Sequence, residues 1–168
     1  MSILKILHYP DKRLRKTAKF VSKISKHTKR IIFDMFDTMY AQQGIGLAAT
    51  QVDIDQQIIV IDLYQNITQR LVFINPIIIK KIGIIHTVEG CLSIPKIKES
   101  IPRSKQIIVR SLNQDGNIFE ITATDLLSVC IQHEIDHLLG KLFIDYLSPL
   151  KIKRINKKIQ KWTKLLNK

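Results

Sequence analysis

The 168-residue chain is poor in cysteine, poor in acids and without a long apolar run, and each shortage excludes something. Cys91 and Cys130 are its only two cysteines. A disulfide framework is therefore excluded, and a reducing, cytoplasmic setting is expected. No stretch approaches the roughly 18 apolar residues of a membrane span, so no membrane partner is expected. The longest aliphatic runs, Ile58 to Ile61 and Ile77 to Ile79, suit strands instead. Lys5, His8 and Asp11 interrupt the start of the chain, which excludes a secretory apolar core there. No transit extension is read ahead of the first motif. Internal repeats and low-complexity linkers are absent too. Hydrophobic residues still make up 45%, which excludes a chain that is mainly disordered. A chain of this length buries about 70% of its unfolded surface, so one domain over residues 1–168 is expected.

The scarcity of acids is the less ordinary feature. Fourteen Asp and Glu face 27 Lys and Arg, leaving a net charge of +13 and a pI near 9.9. Such a balance favours polyanionic neighbours, nucleic acid or a ribosome surface among them. Lysine and isoleucine dominate the composition, and both have A/T-rich codons, so coding bias is the alternative source of the charge. The segment 149–168 concentrates it, with eight Lys or Arg and no acid.

Periodicity then gives the elements. Ser25 to Gln43 reads as a first helix, with Ile31, Ile32, Met35, Phe36 and Met39 on one face and Gly44 as its stop. Gln57 to Leu63, Leu71 to Ile79, Gln106 to Leu112 and Asn117 to Ile121 read as strands. Asp115-Gly116 is the turn between the last two, and Pro76, Pro95 and Pro102 are expected to break the β region into short pieces. Thr124 is expected to cap a second helix that ends near Leu139 and Gly140. Ser148-Pro149 opens a third, basic and amphipathic, with Ile152, Ile155, Ile159, Trp162 and Leu166 as its apolar stripe. The fold class is α+β: short antiparallel sheets around a central metal-binding helix, flanked by an N-terminal and a C-terminal helix.

That central helix carries His133-Glu134-Ile135-Asp136-His137, an H-E-x-x-H spacing. Residues four apart share one helix face, so both imidazoles converge on one ion. Glu134 faces the same cavity as a proton acceptor for water. A catalytic site of this kind takes a third protein ligand and keeps one position open. Cys130 is seven residues from His137, roughly 10 Å along the axis, beyond the reach of its short side chain. Cys91, beside the permissive Gly90 in the β region, is the preferred third ligand, with an acid as the alternative. His8, His27 and His86 have no partner at an informative spacing and read as structural or surface residues.

Three blocks, residues 44–51 (Gly-Ile-Gly-Leu-Ala-Ala-Thr-Gln), 89–93 (Glu-Gly-Cys-Leu-Ser) and 132–137 (Gln-His-Glu-Ile-Asp-His), together resemble the peptide deformylase family. The resemblance extends to residues 6–11, 73–76 and 140–149, without departure at a motif position. It implies removal of the formyl group from the N-terminal formylmethionine of new polypeptides. A single divalent ion would be Fe(II), with zinc, nickel or cobalt as substitutes, and would turn a bound water into the nucleophile. Glu134 would act as general base and then acid, and the Gln51 side-chain amide and the Leu92 backbone N–H would receive the oxyanion. The methionine pocket would be lined by Ile45, Gly46, Leu126, Val129 and Cys130. Glu89 and Asp136 would hold the ligands in place, with Arg103 paired to one of them. The basic C-terminal helix would contact the ribosome, and a monomer is expected. Two other classes compete: a zinc peptidase, disfavoured because Cys91 lies upstream of the helix, and a non-catalytic RNA-binding protein, disfavoured by Glu134 and Gln51.

Overall fold

The computed structural model describes residues 2–65 and 69–166, with side chains of the last helix described as far as Trp162. The elements run α1 (Lys26–Ala41), β1 (Gly46–Ala48), β2 (Ile58–Ile61), β3 (Leu71–Ile82), β4 (Ile85–Cys91), β5 (Ile94–Arg103), β6 (Gln106–Leu112), β7 (Ile118–Thr124), α2 (Asp125–Leu138) and α3 (Pro149–Leu166). All strand pairs are antiparallel, in a five-stranded sheet ordered β1-β2-β3-β6-β7 and a β4-β5 pair. The fold is α+β, as its sequence implies. No helix among the described residues is long and apolar enough to cross a membrane.

The unbroken aliphatic run of β2 has a reason. Ile58 and Val60 join Val72, Ile74 and Leu47 beneath α1, where Ile31, Ile32, Met35, Phe36 and Met39 complete the cluster. Ile59 and Ile61 face the other way, onto Phe73, Ile107, Val109 and the α2 residues Cys130 and Ile131. The strand is covered on both faces, so it reads as continuous rather than alternating. A third cluster joins Ile94, Ile97 and Ile101 of β5 to Leu142, Phe143, Ile144 and Ile155. Ile155 is the buried centre of the α3 stripe, with Ile159 and Trp162 packed beside it; the Leu166 side chain lies outside the described residues.

Several local expectations differ from the structure. Pro76 does not end β3: the strand absorbs it at a register shift, with Asn75 at φ +53° and its side-chain amide bonded to both backbone groups of Val21. Pro95 and Pro102 lie inside β5, whose only partner among the described residues is β4, so the missing N–H groups disturb no second ladder there. Gln43, not Gly44, takes the left-handed position after α1 (φ +55°). Thr124 makes no side-chain cap, because β7 runs directly into α2 through Asp125 at φ +49°, whose N–H bonds Lys105 O. The cap of α3 follows expectation, with Ser148 Oγ accepting from Lys151 N at 3.4 Å, and α1 is capped by Ser25 Oγ, which accepts from Thr28 N at 3.2 Å.

Candidate metal centre

Helix α2 is buried along most of its length, and its spacing brings His133 and His137 to one face, with ring centroids 5.0 Å apart. The β4–β5 turn then delivers Cys91. Its Sγ lies 3.1 Å from His137 Nε2, and one donor atom each of Cys91, His133 and His137 lie within 4.8 Å of one another. A thiol sulfur and two imidazole nitrogens so converged fit a divalent transition metal, since such donors suit iron, cobalt, nickel and zinc alike. Cys130 is absent from the trio, as its position on the helix requires, and sits buried against the sheet.

His133 is held from behind, whereas His137 Nδ1 is buried with no hydrogen-bond partner. His133 Nδ1 is 2.8 Å from Glu89 Oε2, which leaves Nε2 for the site, and its ring stacks on Phe143 at 6.2 Å. Arg103 was expected to meet one acid; it meets two. Its guanidinium binds both Glu89 oxygens, at 2.7 and 3.0 Å, and Asp136 Oδ2 at 2.5 Å. Tyr146 closes this cluster by donating its hydroxyl to Asp136 at 2.9 Å. Burial alone would raise the Glu89 carboxyl, but His133 and Arg103 outweigh it and hold the pKa below the usual range. Burial likewise pushes the His133 imidazole down, and the Cys91 sulfur and Glu89 reverse the sign and hold it well above its usual value. Burial, with the charges of His133, Arg103 and Arg15 adding to it, holds His137 well below its usual value.

Replacing Arg103 by leucine strands two carboxylates in the interior. That costs about 3 to 5 kcal/mol of stability, read by urea denaturation. Loosening Glu89 also weakens metal retention by about 10- to 100-fold, read by competition with a chelator. Unchanged retention in a folded variant would disconnect Arg103 from the metal site.

Gln51 is 1% exposed, not the surface glutamine its type would suggest. Ala48 N–H donates to its Oε1 at 2.8 Å, which turns its Nε2 to Ser93 Oγ at 3.1 Å and to within 3.6 Å of Cys91 Sγ. The N-terminal segment fixes both supports: Leu7 N–H donates to Gln51 O and Tyr9 N–H to Ser93 O, each at 2.8 Å. Leu92 lies in the β4–β5 turn, one residue beyond Cys91, with its side chain against Gly44. Glu134 is 4% exposed, and its Oε2 has no hydrogen-bond partner. Burial pushes its carboxyl up to about 7.

These groups share a cleft of about 610 Å³, within the range of small-ligand sites. Ile45, Gly46, Val129, Cys130, His133 and Glu134 line it. Leu126 does too, but at 54% exposure it forms rim rather than floor. His8, which sequence reading set aside, borders the same opening. Ser93, Phe143 and Tyr146 were not singled out either. They fall inside the family-like blocks, but nothing in spacing alone marks a residue that acts by supporting another.

Comparison with known proteins agrees with this geometry. The sequence model of the polypeptide deformylase family matches residues 3–153. A peptide deformylase of Blochmanniella floridana is 74% identical over 164 residues, 97% of this chain and 94% of that protein. Among solved structures, a peptide deformylase from Legionella pneumophila superimposes with a TM-score of 0.95 at 42% identity, covering 99% of both chains. One from Ehrlichia chaffeensis in complex with actinonin gives 0.91 at 38% identity, covering 96% of this chain and 98% of the other. The convergence of Cys91, His133 and His137 beside the buried Glu134 carboxylate, together with likeness in sequence and fold over nearly the whole length, leads to one conclusion: the chain belongs to the peptide deformylase family.

Proposed function

We propose that the chain hydrolyses the formyl amide of N-terminal formylmethionine on new polypeptides at this centre, yielding formate and a free methionine amine. The observation that carries the reading is the buried Glu134 carboxylate, whose Oε2 has no hydrogen-bond partner and which lines one cleft with Cys91 and His133. Cys91, His133 and His137 hold one divalent ion, Fe(II), with zinc, nickel or cobalt as substitutes. The bound ion supplies Lewis acidity and lowers the pKa of water. Glu134 takes the proton from the attacking water and returns it to the leaving amine. The Gln51 Nε2–H and the Leu92 backbone N–H stabilise the oxyanion, and the hydrogen bonds to Ala48 and Ser93 keep the Gln51 amide from flipping. Ile45, Gly46, Leu126, Val129 and Cys130 receive the methionine side chain. Anaerobic release of formate from formyl-Met-Ala-Ser by Fe(II)- or Ni(II)-loaded protein tests the reading. A fully metallated protein that releases none would end it.

Residues 1–168 act as one domain and as a monomer. Two free cysteines, one of them a ligand, suit the cytoplasm. Helix α3 docks through Ile155 and leaves Lys151, Lys153, Arg154, Lys157, Lys158 and Lys161 exposed. This face suits the ribosome surface, where ribosomal RNA is the polyanion. Co-sedimentation with ribosomes is then strong at low salt and falls steeply as salt rises. Binding indifferent to salt, or none, would leave coding bias as the source of the charge.

A further inference from the structure

The opening to the metal donors runs between two unpaired strand edges. Among the described residues, strand β1 is the outer strand of its sheet, and β4 pairs only with β5. An extended peptide entering there finds backbone groups on either side. The rim includes Gln42, Gln43, Lys96 and Lys98 and carries no exposed carboxylate among the described residues. The two acids that line the cleft, Glu89 and Glu134, are both buried, and Glu89 is already paired with Arg103.

Of the two lysines, Lys98 is the one left free. It stands opposite Gly90 in the β4–β5 ladder, one residue from the ligand Cys91. Gly90 has no side chain, and the Lys98 stem lies over the gap: a β-carbon built there would meet Lys98 Cγ at 3.5 Å and Cε at 3.8 Å. Neighbouring Glu99 spends its charge on Lys151, at 2.8 Å. Lys96 adopts φ +64° and places its ammonium 6.0 Å from the Trp162 ring. No carboxylate among the described residues pairs with Lys98.

We propose that Lys98 is a specificity-determining residue, which favours formylated peptides carrying an aspartate or glutamate at the second or third position. The inference rests on the deformylase reading. With the methionine side chain seated against Val129 and Cys130, each further residue advances the chain by about 3.3 Å. The second and third side chains therefore lie within reach of a lysine anchored beside the Cys91 ligand. The attraction acts on association, so it appears in KM while kcat stays level.

The test compares formyl-Met-Asp-Ser and formyl-Met-Ala-Asp with their lysine counterparts, and formyl-Met-Ala-Ser as the uncharged reference, all as C-terminal amides. At low salt the metal-loaded enzyme favours at least one acidic peptide over its lysine counterpart by roughly two- to five-fold in kcat/KM, the range of an exposed ion pair. At about 1 M salt, where screening acts within about 3 Å, the ratio approaches one. Lys98→Glu reverses the low-salt preference, Lys98→Met removes it and Lys98→Arg keeps it. Equal rates on acidic and basic peptides at low salt would overturn the proposal. So would an acidic preference that survives in Lys98→Glu, since that belongs to the overall charge of the protein. Turnover of the uncharged peptide without charge preference removes only this inference; no turnover of any peptide removes the deformylase reading with it.

Discussion

Replacing Glu134 with alanine lowers kcat/KM for formyl-Met-Ala-Ser by about 100- to 10,000-fold while metal content is unchanged, the range expected for loss of a general base. The geometry separates the two functions. The group that could hold the ion is Cys91, His133 and His137, and Glu134, next to His133 in sequence, is not part of it. Its Oε2 is buried with no partner, so removing that oxygen breaks no hydrogen bond. Formate release and metal analysis on the same preparation read both quantities. A variant that loses metal in proportion to activity would make Glu134 a structural support instead. A variant that keeps its activity would move the base elsewhere.

The same carboxyl carries a pH signature. Burial raises its pKa from 4.5 to about 7, with Glu89 adding to the rise and His133 and Arg103 opposing it. A base must be deprotonated to act, so kcat/KM falls as the pH drops through the pKa of Glu134. A cation at the donor trio favours the carboxylate, which places that limb at or below about 7. For stability the sign is opposite to that of most acids. The folded pKa exceeds the unfolded one, so this group's contribution is complete below about 4.5 and lost as pH rises through about 7. At pH 8, chelator-treated Glu134→Gln is therefore more stable than the parent, by up to about 3 kcal/mol from the conversion of the shift. Urea denaturation at pH 5 and pH 8 reads it: the gain is largest at pH 8 and shrinks at pH 5.

Much of the centre was legible because helical spacing is local. His133, Glu134 and His137 need only a period of 3.6 residues to share a face, and the same period excluded Cys130 as a ligand. Cys91 was reachable because Gly90 marked a permissive backbone beside it. The full reach of Arg103 was not legible. Its partners lie 14 and 33 residues away, and no pattern shows that one guanidinium closes on both. The Pro76 expectation failed for a related reason. Proline ends an isolated strand, but here Val21, 54 residues from Asn75, holds the distorted backbone in place. Thr124 has the composition of a cap, yet the β6–β7 ladder extends to it and directs Asp125 to Lys105. Local chemistry names the residue in each case, and a distant contact decides its role.

Gly46→Ala gives a second large effect, through sterics alone. Gly46 sits on β1, paired with Ile61, and is not among the positive-φ glycines, so alanine suits the backbone. A β-carbon there would lie 2.6 Å from Glu134 Oε1 and 2.8 Å from Cys130 Sγ. One neighbour must move. Cys130 is packed against Ile59, Phe73 and Ile131, whereas the Glu134 carboxylate is the free end of a longer side chain. The displacement therefore falls on the Glu134 carboxylate. A shift of about 1 Å in a catalytic group costs on the order of 100-fold in rate, and we expect a fall of that size in kcat. Overpacking destabilises the fold by only about 1 to 3 kcal/mol, so the variant stays folded at room temperature. The mechanism is separable by combining variants. In a Glu134→Ala background the base is already absent, and adding Gly46→Ala lowers the residual rate little further. A full additional 100-fold loss would mean that the alanine methyl blocks the methionine pocket rather than the base. In Cys130→Ala, where the sulfur no longer crowds the site, the methyl still meets Glu134 and most of the loss remains.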